Sequence, residues 1–357
     1  MSPTLAPSVI RTNTVVVGAG QAGLAAAYYL QQRGVDFRLL DAAAAGAAWA
    51  GRYESLRLFS PAWVSGLPGR PWPGNPLHYP TRDETTAYLR DYAAHFGFPL
   101  DLHQRVTRVG AAPEQAGYEI STDSGRTYLA RRVIIATGPY TAPRVPAWAG
   151  RLPAATAQLH SRDYRRPSQV PGSGPVGVVG SGNSALQVAA DLAATGRPVV
   201  VAFDEKTAAL PNNQLMWLFL VLTGLLRVPR HTALGRRLSR RPDPVVSGDL
   251  AKLRQFSNVT FIGRAEAALP SGAIQGQKGV SPPLEGVVWA TGYQPDYGWV
   301  DLPVFEPNGA PRHRRGLTEV PGIAFLGLNW LDTRRSALLH GAGPDAKRVV
   351  GELLKMP

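Results

Sequence analysis

Short apolar runs alternate with alanine-rich helical stretches along this chain, and the change of period falls at glycines. Residues 14–17 read Thr-Val-Val-Val, a β-branched run that predicts a strand buried on both faces. The run leads straight into Gly18-Ala19-Gly20-Gln21-Ala22-Gly23. Residues 24–32 then read as a helix that Gly34 stops, and residues 35–40 read as the next strand, ending on Asp41.

The same unit recurs further on. Residues 176–179 predict a strand, Gly180-Ser181-Gly182-Asn183-Ser184-Ala185 a second glycine turn, residues 185–194 a helix closed by Gly196, and residues 199–203 a strand ending on Asp204. The first glycine and the acid lie 23 positions apart in the first unit and 24 in the second. One such motif is a weak signal, but two with matching spacing in strand–turn–helix context are a strong one.

Other elements frame the pair. Residues 66–80 are a Pro/Gly-rich loop, residues 82–96 a helix, and residues 167–175 a linker. The strand pattern at 132–136 runs into Thr137-Gly138, and that at 286–290 runs into Thr291-Gly292-Tyr293, repeating an Ala-Thr-Gly ending. Residues 323–326 predict a late strand, and 336–355 contain a closing helix.

A length of 357 residues suggests about two domains. Cysteine is absent, which excludes a disulfide framework, a cysteine zinc site, a CxxC redox pair and a thiolate nucleophile. The 38 basic residues outnumber 25 acidic ones, for a net charge of +13. Such a surface would attract nucleic acid, an anionic membrane or an acidic electron carrier, but the arginine pairs are scattered and no long basic block exists. No nucleic-acid partner is therefore expected. Residues 1–10 hold two prolines and no cationic start, so they read as a loose tail rather than a signal peptide. The longest apolar run, 215–226, falls short of the roughly 20 residues of a membrane span, so a cytoplasmic location is expected.

The glycine turns carry chemistry. The first glycine permits the tight turn, the second lets the backbone approach a pyrophosphate, and the third lets helix and strand pack closely. Ala185 takes the third place in the second unit. The pyrophosphate then meets free N–H groups at a helix N-terminus. Asp41 is positioned to hold a ribose diol, which suits FAD or NAD. In the second unit Asp204 and Glu205 would repel a 2′-phosphate and favour NADH, whereas Lys206 or Arg197, close in sequence, would favour NADPH.

Residues 51–61, Ala136-Thr137-Gly138-Pro139-Tyr140, Ala290-Thr291-Gly292-Tyr293, 336–339 and 344–346 narrow the pattern. Over 13–350 the chain resembles the flavin-containing monooxygenases, and among them the short bacterial CzcO-type FAD/NAD(P)-dependent oxidoreductases. The resemblance implies an α/β fold of two Rossmann-like domains, the nicotinamide domain (167–285) inserted into a discontinuous FAD domain (12–166 and 286–357). It implies hydride transfer from NADH or NADPH to FAD. Reduced flavin and O2 would then form a C4a-hydroperoxide that gives one oxygen to sulfur, nitrogen or a ketone of a small-molecule substrate.

On this resemblance Gly18, Ala19, Gly20, Gln21, Ala22, Gly23 and Asp41 would hold FAD, with Trp49 and Arg52 along the flavin. Thr137 and Gly138 would border it. Gly180, Ser181, Gly182, Asn183 and Ser184 would hold the nicotinamide dinucleotide, bordered by Thr291 and Gly292. Asn329 would reach the ribityl chain. Two departures stand out. The signature Phe-x-Gly-x-x-x-His-Ser-x-x-Tyr survives only as His160, Ser161 and Tyr164, and Ser60-Pro61 replaces a pair whose second member carries an amide.

Ser60 and His340 are the candidate catalytic residues, His340 as an acid/base group or as a helix-end histidine held by ordinary hydrogen bonds. Trp49 and Trp330 would flank flavin or substrate, or simply pack in the core. The apolar run at 215–226 and the basic residues to 241 would form a membrane-dipping helix, a lid or a dimer contact, and the oligomeric state is left open. No metal-ligand cluster is present in the sequence pattern. An NAD(P)H:acceptor reductase, passing electrons to a quinone or carrier protein, is the first alternative function. A flavin-binding regulatory protein without turnover is the second.

Overall fold

The computed structural model describes residues 9–113 and 116–356. The first unit is β1 (Val9–Val17), α1 (Gln21–Gln31) and β2 (Phe37–Leu40). The loose tail expected over 1–10 ends earlier than that, because Val9 and Ile10 already belong to β1; residues 1–8 lie outside the described residues. β1 and β2 pair in parallel, Thr14 opposite Phe37 and Val17 opposite Leu40. Val15, Val16, Leu39 and Leu40 are fully buried, as a strand covered on both faces requires. Leu24, Ala25, Ala26, Ala27 and Leu30 seal α1 onto them, and the small side chains let the helix sit close.

The chain continues through α2 (Arg82–Phe96), β3 (Leu100–Asp101), β4 (Val106–Ala111), β5 (Tyr118–Thr122), β6 (Thr127–Ile135) and β7 (Ala157–His160). α2 starts on a Thr81/Glu84 capping box and ends at Gly97 in the left-handed region, so its bounds match those read from sequence. Next come β8 (Val176–Val179), α3 (Asn183–Ala193), β9 (Val199–Ala202), α4 (Gln214–Leu222) and β10 (Val259–Phe261). The chain closes with β11 (Gly286–Trp289), β12 (Val300–Asp301), β13 (Ile323–Phe325) and α5 (Leu339–Leu353).

The first sheet runs β12-β4-β5-β6-β1-β2-β3, with β13 parallel to the far end of β6. The second runs β10-β9-β8-β11-β7 and is parallel throughout. This pairing moves the boundaries drawn from sequence. Residues 157–160 and 286–289, assigned there to the first domain, build the second sheet, where β11 lies between β8 and β7. All four residues of β11 are buried, so its pattern fits the interior of either sheet and only register decides.

The 215–226 run splits into the short helix α4, capped by Asn213, and a 3-10 turn over Leu225–Arg227. Its Trp217 turns inward and clusters with Val64, Leu226 and Leu338, while Leu215 and Leu222 are 77% and 76% exposed. No helix among the described residues is long and apolar enough to cross a membrane.

Candidate functional site

Both glycine turns are built alike. Gly18 has φ +108°, and a Cβ there would lie 2.7 Å from the Ala136 carbonyl oxygen at the end of β6. Gly180 has φ +153°, and its Cβ would lie 2.2 Å from the Ala290 oxygen after β11. Each turn is therefore pressed against a neighbouring strand end, the crevice where parallel sheets bind ligands. The middle glycines differ in kind. A Cβ on Gly20 or Gly182 would meet nothing within 4 Å, so no protein contact demands glycine there. What glycine provides is open backbone. Gly20 and Gly182 are also the N-caps of α1 and α3, and neither helix start is closed by a side chain, unlike α2 and α4. Uncapped N–H groups beside open backbone form a seat for a pyrophosphate.

In the first unit Asp41 accepts hydrogen bonds from the backbone N–H groups of Ala19 at 2.7 Å and Ala43 at 2.8 Å. Burial outweighs these bonds and raises its pKa. Ala19 and Ala22 are buried beneath the turn, and a Cβ on Gly23 would fall 1.8 Å from the Gly18 oxygen. Gln21 accepts from the Trp49 indole at 3.2 Å, which ties Trp49 to the start of α1. The Thr137 hydroxyl is buried without a partner, and Gly138 beside it has open space. An orphaned donor and open glycines around a helix start fit a dinucleotide such as FAD.

In the second unit the Ser181 hydroxyl accepts from the Asp204 N–H at 2.8 Å, and the Asn183 side chain accepts from the Val246 N–H at 2.8 Å. Ser184 meets the Tyr53 hydroxyl, which also donates to Gln187 at 3.1 Å. Arg197 is not available to a nucleotide. It is 9% exposed, donates to the carbonyls of Val170 and Gly174, and lies 3.3 Å from Glu285. Sequence proximity to Asp204 misled because Arg197 precedes β9, at the opposite end of the strand. The cations that reach the acidic corner come from later in the chain: Arg264 lies 3.8 Å from Asp204, and Lys278 pairs with Glu205. Lys206 stays in that turn, its N–H bonded to Asp204.

The two units meet at Arg52. Its guanidinium lies over the rings of Tyr140 and Tyr293, at 5.6 and 5.2 Å, and bonds the Tyr293 hydroxyl. Each tyrosine follows one of the Ala-Thr-Gly endings, so that repeat was the signal for a clamp not read from sequence. His160 packs edge-on against Tyr293 at 5.0 Å and bonds the Gly292 oxygen at 2.9 Å; the Thr291 hydroxyl donates to Arg144 O. Tyr164 donates to Asp191 at 2.8 Å, so both are framework groups. Asn329 is exposed beside the Tyr140 hydroxyl, and Trp330 is buried with φ +54°.

A cavity of about 730 Å³ opens between the loop after Ser60, the end of α4 and the start of α5. His340 lines it, and burial with nearby Arg335 and Arg227 lowers its pKa to about 4. The expectation of ordinary hydrogen bonds fails there, because the Nδ1 atom is buried without a partner. Ser60 is buried, and its hydroxyl pairs with that of Ser65 at 2.9 Å. Among the described residues no cluster of metal-ligating side chains exists.

Two dinucleotide seats facing a shared junction define an FAD-dependent, nicotinamide-dependent oxidoreductase. The chain belongs to the pyridine nucleotide-disulphide oxidoreductase family, whose profile matches residues 15–218. Having no cysteine, it lacks the redox disulfide of that name. It is 37% identical to a CzcO-like oxidoreductase of Geobacillus kaustophilus over 96% of this chain and 98% of that protein. Identity to the CzcO oxidoreductase of Bacillus subtilis is 32%, over 96% and 99%. A flavin-containing monooxygenase from Stenotrophomonas maltophilia superposes with TM-score 0.79 at 30% identity, over 97% of this chain and 98% of that one. These likenesses put the chain in the flavin monooxygenase class.

Proposed function

We propose that the protein oxidises NADH and transfers one atom of O2 to the sulfur, nitrogen or carbonyl carbon of a small apolar substrate, the other atom leaving as water. The observation that carries this reading is the pair of like-built nucleotide seats meeting at Arg52, together with a cavity elsewhere in the fold whose wall is mostly apolar. Bound flavin would supply the acceptance of hydride and the reaction with oxygen. The chain's own residues have simpler tasks. Gly18, Gly20, Gln21 and the N-terminus of α1 would seat one pyrophosphate, and Asp41 its ribose. Gly180, Gly182 and the N-terminus of α3 would seat the other. Asp204 and Glu205 support NADH, since a 2′-phosphate would have to displace two carboxylates from their cations. Arg52, held by two tyrosines, fixes the junction.

Val64, Leu220 and Leu226 exclude water from the cavity wall. Of the two candidate catalytic side chains, His340 is better placed. It lines the cavity and burial favours its neutral form, whereas the Ser60 hydroxyl is engaged by Ser65. The absence of an amide at Pro61 favours a second reading, an NAD(P)H:acceptor reductase.

The test supplies FAD-loaded protein with NADH, isotope-labelled O2 and methyl phenyl sulfide. Labelled sulfoxide, formed in step with NADH oxidation, is the expected result. Hydrogen peroxide without sulfoxide, together with rapid quinone reduction, would establish the reductase. No flavin reduction by NADH or NADPH would leave a binding protein without turnover.

A further inference from the structure

The cavity beside His340 holds two arginines without an ion-pair partner among the described residues, although Asp345 and Asp332 offset part of the charge of Arg335. Arg315 and Arg348 share Asp332, at 2.8 and 3.4 Å, and Arg334 pairs with Asp243 at 3.1 Å. Arg227 and Arg335, both lining the cavity, make no salt bridge among the described residues, and Nε of Arg335 is buried without a partner. Burial and the neighbouring Arg227 lower the pKa of Arg335. Two like charges are held together here against their repulsion.

Backbone contacts do the holding. The Arg230 N–H donates to the Asp332 oxygen at 2.7 Å, and Pro229 bridges Thr333, so the segment with Arg227 is fastened beside the segment with Arg335. A Cβ on Gly341 would lie 1.8 Å from the Arg335 oxygen, so the start of α5 is pressed onto the same turn. Leu338, the N-cap of α5, supplies no side-chain cap, and the helix dipole adds to the positive field. The remaining wall is mostly apolar, with Trp63, Trp72, Val64, Leu220 and Leu226, and Arg70 and His340 are its other polar side chains.

We propose that this cavity binds an apolar carboxylate, its carboxyl group on Arg227 and Arg335 and its tail against the two tryptophans and the leucines. A guanidinium pair matches a carboxylate in charge and geometry, and a low-dielectric wall strengthens the contact. A nucleotide would find few polar partners for its sugar and base edges on that mostly apolar wall. The inference rests on the cavity being the substrate's place, and it names the substrate class as small apolar acids.

Three probes with one tail test it: 3-phenylpropionate, 3-phenylpropan-1-ol and 3-phenylpropylamine, titrated into FAD-loaded protein by calorimetry and tryptophan fluorescence. The acid binds at least about tenfold more tightly than the alcohol, and the amine does not bind. Arg335→Gln and Arg227→Gln each weaken the acid by about tenfold and leave the alcohol unchanged. Arg108→Gln, which alters an arginine outside the cavity lining that pairs with Asp301 at 2.7 Å, changes neither. Arg227 is exposed, so its variant remains informative if Arg335→Gln does not fold. Equal binding of acid and alcohol, an unchanged acid affinity in the arginine variants, or displacement of the acid by NADH would overturn the proposal. The readout needs no turnover. Acid binding without oxygen transfer would therefore reject the monooxygenase reading alone, and oxygen transfer without acid preference would reject only this one.

Discussion

Asp41 and Ala19 are joined by a hydrogen bond of 2.7 Å from the backbone N–H of the glycine turn to the carboxylate at the end of β2. The acid that would hold a ribose thus also shapes the turn that would hold the pyrophosphate. Asp41→Ala leaves a buried N–H unpaired, which costs about 1–2 kcal/mol, and removes the ribose contact. The expected outcome is a lower melting temperature and a flavin content well below one per chain. Full flavin content in the purified variant would sink the ribose role.

Gly20 and Gly23 separate ligand from fold. Gly20 sits at φ −82° with open space around its Cβ position, so Gly20→Ala leaves flavin-free stability within about 1 kcal/mol while FAD affinity falls at least about tenfold. Gly23→Ala puts a methyl 1.8 Å from the Gly18 oxygen and should prevent folding whether or not flavin is supplied. Urea unfolding and FAD titration check both. Equal damage from the two changes would contradict the assignment.

Nicotinamide choice is expected to follow the acidic corner after β9. Glu205→Gln releases Lys278 and moves the kcat/KM preference toward NADPH by about tenfold, the effect of one favourable phosphate contact. Arg197→Lys loses buried bonds to the Gly174 and Val170 carbonyls and lowers stability without moving that preference. A change in NADPH preference on altering Arg197 would contradict its structural role.

Two histidines make the fold acid-sensitive. Burial lowers the pKa of His340 and of His313 to about 4 from 6.5. Between those values the unfolded chain takes up protons that the folded chain refuses, so stability falls as pH drops from about 6.5 toward 4, by on the order of 3 kcal/mol per histidine. His340→Leu should flatten about half of that slope in urea midpoints measured across this range. An unaltered slope would show that His340 does not stay neutral in the fold.

Some of this was legible in the residues themselves. The glycine turns, their strands and helices, and the helix with its Thr81/Glu84 start rest on local chemistry. A positive φ, a cap or a β-branched run depends only on neighbours in the chain. The Ala-Thr-Gly endings could be seen, but not that their tyrosines close on Arg52. The domain boundaries went wrong where four buried apolar residues, 286–289, carry no mark of which sheet they join.

By itself the sequence determined that two dinucleotide-binding units exist, where each turn lies, and that no thiol takes part. Tertiary structure alone decided which strands share a sheet, that Arg197 faces inward while Arg264 and Lys278 serve the acidic corner, and that Arg227 meets Arg335 at the cavity. Asp204 and Arg264 lie 60 positions apart, Arg227 and Arg335 108, and the paired Val109 and Val300 191, separations for which no local pattern exists. Those relations arise from packing and register, which bring together groups that the chain keeps separate.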